Sequence, residues 1–89
     1  MKFEIGPDAR KRYVDRRKQD IVSLRNAQKS RDYETIRGLA HQLKGNGVTF
    51  GFPEVTDHAR VMETAAIASD TKGVDKEIDW FDAWLKSLP

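Results

Sequence analysis

Apolar residues recur every three to four positions along nearly the whole chain, and no stretch shows the two-residue alternation of a strand. That pattern predicts four helices. The first runs from about Asp8 to Gln28 behind Pro7. It carries Tyr13, Val14, Ile21, Leu24 and Ala27 on one face and Arg10, Arg12, Arg16, Lys18 and Arg25 on the other. Arg17 falls inside the apolar stripe and is expected to reach an acidic partner or to snorkel. The second helix begins near Asp32 as N-cap and follows Ile36, Leu39, Ala40, Leu43, Gly47 and Phe50, with Gly51 ending it. Pro53 suits the first turn of a third, whose inward positions are Val55, Ala59, Met62 and Ala66. Asp70 caps a fourth, with a stripe of Val74, Ile78, Phe81, Leu85 and Leu88. Connections of a few residues make successive helices antiparallel neighbours. The expected fold is an all-α, up-down four-helix bundle, one domain over residues 1–89.

Eighty-nine residues support only a thin core. Cysteine is absent, which excludes disulfides, thiol catalysis and a Cys-based zinc finger. His41 and His58 form no convincing metal cage without a carboxylate cluster, and Asp75, Asp79 and Asp82 lie at helical spacing, not in a calcium-type loop. No metal site is expected. No apolar run approaches the length of a membrane span, and the N-terminus lacks a signal-peptide core, so a soluble cytoplasmic protein is expected. An initiating Met1 and an ending at Pro89 suit a free-standing protein, and nothing in such a bundle requires a second copy.

Charge is abundant and nearly balanced, 16 Lys and Arg against 14 Asp and Glu, but unevenly placed. Residues 1–37 hold 11 basic and 6 acidic side chains, while residues 38–89 hold 5 and 8. A basic first third beside an acidic remainder implies either intramolecular pairing or a positive docking face.

The residues that folding does not explain lie in the second helix. At 100° per residue His41 is about 140° from the centre of the buried stripe, and faces solvent. Gly38 and Gly45, three before and four after it, share its strip. Each helical glycine costs about 0.8–1 kcal/mol against alanine. Gly47 points inward, where closeness to a neighbouring helix accounts for it. Gly38 and Gly45 have no such reason, and together they clear the surroundings of the imidazole. The run from Lys44 to Gly47 also reads as a C-cap and turn, since Asn-Gly is a strong turn signal, but the apolar phase through Leu43, Gly47 and Phe50 favours one long helix. Lys44, about 60° around from His41, can reach an anion attached to the ring. A neutral imidazole offers a free lone pair, so the set is fit to accept a phosphoryl group. Val48 adds an exposed apolar spot for a partner.

These residues carry a resemblance. The run Ala40-His41-Gln42-Leu43-Lys44-Gly45, then Gly47, Phe50-Gly51, Ala59 and Met62-Glu63 resembles the histidine-containing phosphotransfer (HPt) domains of bacterial phosphorelays. Asn46 stands where that family more often has Ser or Ala. The resemblance implies a four-helix bundle in which His41 is phosphorylated, Lys44 steadies the phosphoryl oxygens and Glu63 hydrogen-bonds the imidazole Nδ1. It implies a phosphocarrier without a kinase site of its own, which exchanges phosphoryl groups with aspartates on receiver domains of response regulators or hybrid histidine kinases. No cofactor is expected on this chain, Mg²⁺ belonging to the receiver. Arg37, Gly38, Gly45 and Val48 are expected to border the partner, with Arg10, Lys11, Arg16, Arg17 and Lys18 either a solvated face or an aid to encounter.

Two other readings compete. One is a small helical nucleic-acid-binding domain using the basic first helix, although no helix-turn-helix signature supports it. The other is an adaptor that docks kinases or receivers without being phosphorylated. His58 has no glycine clearing or adjacent cation and reads as a surface or boundary residue. Trp80 and Trp84 flank the fourth stripe, where packing at the core or its edge accounts for them better than base stacking.

Overall fold

Proline and aspartate set the helix starts in the computed structural model, which describes residues 6–89. Pro7 opens α1 (Pro7–Ser30) and Pro53 opens α3 (Pro53–Ile67). Asp32 caps α2 (Tyr33–Asn46) by accepting the Thr35 N–H at 3.1 Å, and Asp70 caps α4 (Thr71–Ser87) through the Gly73 N–H at 3.1 Å. Arg31, in the left-handed region at φ 54°, stops α1. The amides of Arg31 and Asp32 fold back onto the Gln28 and Ala27 carbonyls and satisfy its last turn.

The helices contact one another as a ring, α1 on α2, α2 on α3, α3 on α4 and α4 on α1. Leu24, Ile36, Leu43, Val55, Met62, Val74, Ile78 and Phe81 fill the centre and are fully buried. Each such side chain contributes about 1.5–3 kcal/mol of transfer free energy. Val14, Ile21, Leu39, Phe50 and Leu88, expected inward, are half-buried and pack against the rim of this core. Arg17 does find an acidic partner. Its Nε lies 2.7 Å from Asp20 and its guanidinium sits over the Tyr13 ring. Burial there raises the Asp20 carboxyl above its usual range, outweighing the pull of Arg17.

α2 is shorter than its apolar phase predicts. It ends at Asn46, not at Phe50, and the turn reading of Asn46-Gly47 is correct. The chain nevertheless keeps coiling. Gly47 retains right-handed helical angles, the Phe50 amide bonds the Asn46 and Gly47 carbonyls, and Phe52 N–H returns to Gly47 O at 2.8 Å. These tight turns carry the apolar phase past the helix end, which is why periodicity alone overshoots. Gly51 then reverses direction at φ 86°, a conformation that glycine adopts without strain.

Polar contacts tie the ring together. Arg25 in α1 bridges Asp79 and Asp82 of α4, each at 2.9 Å, and Gln28 donates to Asp75 at 2.7 Å. The hydrogen bond from Arg25 holds the Asp82 carboxyl below its ordinary range. Between that lowered value and the ordinary one, the unfolded chain binds the extra proton. Stability from this group is therefore complete above the ordinary carboxylate value and is lost as pH falls through the lowered one. Asp82→Asn is expected to lower stability at neutral pH and to flatten the acid limb of a stability-against-pH curve from denaturant titrations. An unchanged acid limb would show that the Arg25 bridge contributes nothing.

Candidate functional site

The site is built on two adjacent helices. α2 presents His41 outward, its side chain 66% exposed, midway along a helix whose inner face is pinned by the buried Ile36, Ala40 and Leu43. Gly38 and Gly45 flank it as expected, and a Cβ at either would have no heavy atom within 4 Å. The strip beside the ring is open on both sides. Arg37, one turn before His41, is ion-paired to Glu34 at 2.7 Å, and Val48 in the following turn is 59% exposed.

α3 supplies the partner for the ring. Met62 is buried and its neighbour Glu63 is turned to the α2 side, with one carboxylate oxygen 2.8 Å from His41 Nδ1 and the other 2.6 Å from Lys44 Nζ. The three residues expected to act together are thus in direct contact. The bonded Lys44 ammonium chiefly, and His41 besides, hold the Glu63 carboxyl below its usual range against the opposing effect of burial. An ionised carboxylate only accepts hydrogen bonds, so His41 Nδ1 must carry the proton and donate it. In the neutral ring the lone pair is then on Nε2, the nitrogen away from Glu63. Lys44 spends one of its three N–H groups on Glu63, and among the described residues the other two have no side-chain partner.

The sequence model of the Hpt domain family matches residues 8–88, nearly the entire chain. The chain belongs to the Hpt domain family. No curated protein and no solved structure matches it. Hpt domains are helical bundles that serve histidine phosphotransfer in phosphorelays and interact with receiver domains. Among the described residues of this Hpt domain, no helix is long and apolar enough to cross a membrane, and no group of three His, Asp or Glu side chains could hold a metal ion.

Several residues of this Hpt domain do more than sequence reasoning assigned them. Thr56, buried in the first turns of α3, donates its hydroxyl to Lys44 O at 3.0 Å and accepts the Val48 N–H at 2.9 Å. It satisfies a carbonyl and an amide that the end of α2 leaves free, and so fixes the backbone from which Lys44 projects. Asn46 accepts the Tyr13 hydroxyl at 2.6 Å, which ties α1 to the end of α2 and gives this side chain a role at the family's Ser or Ala position. His58 is a boundary residue, as expected, but a firmly held one. It stacks on Trp80 with centroids 3.6 Å apart, and its Nδ1 lies 2.7 Å from the buried carboxylate of Glu77. Trp84 is buried and Trp80 is half-buried at the edge of the core. Glu77 sits on the apolar stripe between Val74 and Ile78, and that misplaced charge was the available signal for a partner.

Proposed function

We propose that this protein is a phosphocarrier, accepting and donating a phosphoryl group at Nε2 of His41 in exchange with aspartates of receiver domains. The observation that carries the reading is the Glu63 carboxylate shared between His41 Nδ1 and Lys44 Nζ, beside an imidazole with open space on both flanks. In the transfer the Nε2 lone pair attacks phosphorus in line with the aspartyl oxygen. The N–P bond forms, the P–O bond breaks, and the aspartate leaves as a carboxylate. The proton stays on Nδ1, so the phosphorylated ring gains positive charge, which ionised Glu63 faces directly. The free N–H groups of Lys44 meet the phosphoryl oxygens. Positioning and charge neutralisation suffice for such a transfer, with Mg²⁺ brought by the receiver and the kinase chemistry residing elsewhere. A phosphorelay carrier of this kind works in the cytoplasm and needs no second copy of itself.

The decisive experiment incubates the protein with phosphorylated receiver domains and looks for acid-labile, alkali-stable label. Labelling of the protein is expected. Failure of every receiver encoded in the same genome to label it would defeat the reading. Glu63→Ala is expected to release the ring, so that nitrogen NMR of His41 reports both neutral tautomers, and to slow transfer roughly tenfold or more. Glu63→Gln should keep the tautomer, because an amide oxygen still accepts from Nδ1–H, yet recover only part of the rate. An alanine variant with unchanged tautomer and rate would remove the orienting role.

Gly45→Gln tests the clearance. A Cβ there meets no heavy atom within 4 Å and a glutamine improves helix propensity, so stability should rise by a few tenths to about 1 kcal/mol. Transfer should fall roughly a hundredfold, since about 1 Å of misplacement is enough for that. Retained transfer would show that the glycine strip is not a docking clearance.

A further inference from the structure

The cations of the basic first third are not equivalent in the fold. Toward the C-terminal end of α1, Arg25 is neutralised from within by Asp79 and Asp82. Arg17 and Lys18 are likewise paired, with Asp20 and Asp15. Arg12 and Arg16 differ. Both are exposed, one turn apart on the same strip, and among the described residues neither has an ion-pair partner within 4.0 Å. They overhang a groove of about 600 Å³ between α1 and α2, whose other wall is the Gln42–Gly45 edge of α2 and whose floor includes Phe50 stacked on Tyr13. Gly45 is common to this groove and to the strip that carries His41, so whatever docks on the imidazole meets the groove as well.

We propose that this α1–α2 groove is the specificity contact of the carrier. It takes an acidic edge of the receiver domain, with carboxylates on Arg12 and Arg16 and an apolar side chain between them against Phe50. The inference rests on the phosphotransfer reading, and charge complementarity selects the occupant. A donor of an aspartyl phosphate brings the aspartate, the phosphoryl group and the further carboxylates that hold its Mg²⁺. Mg²⁺ offsets part of this charge, and the phosphoryl dianion with the remaining carboxylate charge leaves the approaching face negative within a Debye length of the two guanidinium groups. Paired guanidiniums on one helix strip match carboxylates in fork geometry, and unpaired they are free to do so. Nucleic acid fits less well. The Tyr13 ring is buried and offers no face for a base.

The test compares wild type with the double variant Arg12→Glu/Arg16→Glu, using two phosphodonors. Phosphoramidate, which needs no docking, reports whether the imidazole is reactive. The phosphorylated receiver domains of the same genome report docking. Phosphoramidate labelling is expected to be equal in both proteins. The second-order transfer rate from the receiver that serves wild type best is expected to drop at least about tenfold in the variant. The wild-type rate should also fall steeply with added salt, while the variant's should not. A double variant that matches wild type in rate and salt dependence overturns the groove as a contact, as does one that loses phosphoramidate labelling in parallel. Salt-dependent binding of duplex DNA that perturbs Arg12 and Arg16, without an effect of the variant on transfer, assigns the groove to nucleic acid instead. If phosphoramidate labels wild type and no receiver does, His41 is reactive but the proposed partner is wrong. A wild type inert to both donors removes the phosphotransfer reading and the groove with it.

Discussion

Replacing His41 by glutamine is expected to abolish the acid-labile label altogether while leaving the protein folded. The amide nitrogen of glutamine has its lone pair delocalised into the carbonyl and does not attack phosphorus, so no slower version of the reaction survives. The fold should be indifferent. The His41 side chain is 66% exposed, its single polar contact among the described residues is with Glu63, and a glutamine N–H can replace the Nδ1–H that Glu63 accepts. Exposed substitutions of this kind stay within about 0.5 kcal/mol, which circular dichroism and thermal melting would verify. His58→Gln is the matching control, since His58 too has a carboxylate on its Nδ1. Its ring, however, lies against Trp80, and among the described residues no lysine shares Glu77 as Lys44 shares Glu63. That variant should keep full labelling and lose about 0.5–1.5 kcal/mol of stability, because the stack on Trp80 is lost while a glutamine N–H can still meet Glu77. Label surviving in the His41 variant and vanishing in the His58 variant would reassign the phosphoacceptor.

The contrast between the two histidines shows what a sequence can disclose. His41 was legible because its position is locally anomalous, a reactive side chain flanked by glycines that a helix tolerates only at a cost. Lys44 followed from helical spacing. Glu63 is 22 residues away, and only the family resemblance singled it out, because no local pattern distinguishes a carboxylate facing α2 from one facing water. The caps at Asp32 and Asp70 were legible for the same reason as His41, since the chemistry that fixes them lies within three residues. Thr56 and the free arginines on α1 were not. Whether a threonine is buried on a carbonyl, or an arginine is neutralised, depends on which helix lies opposite and in what register. Arg25 and Arg12 look alike in sequence, and only α4 separates them.

Gly47→Ala is expected to destabilise the protein by about 2–3 kcal/mol, against every local expectation. The backbone there is right-handed helical, φ −57° and ψ −55°, which alanine favours, and helix propensity alone predicts a gain of about 1 kcal/mol. The obstacle is the neighbouring chain. A Cβ at Gly47 would lie 2.7 Å from both the Thr56 amide nitrogen and Oγ1, and 2.9 Å from the Phe52 carbonyl oxygen. Two of these three atoms are backbone, so no rotamer change relieves the contact, and the start of α3 must move away from the end of α2. Such a movement breaks the bond that Thr56 donates to Lys44 O and the one it accepts from Val48 N–H. For a domain of this size the cost corresponds to a fall of roughly 10–20 °C in melting temperature. Gly45→Ala provides the comparison, the same change two residues earlier, where the added methyl meets nothing and should stabilise by up to about 1 kcal/mol. Opposite shifts in thermal melts of the two variants would establish that Gly47 is set by the approach of α3. Shifts of the same sign would show that the α2–α3 corner yields, and that the position of Lys44 is less tightly fixed by Thr56 than the hydrogen bonds imply.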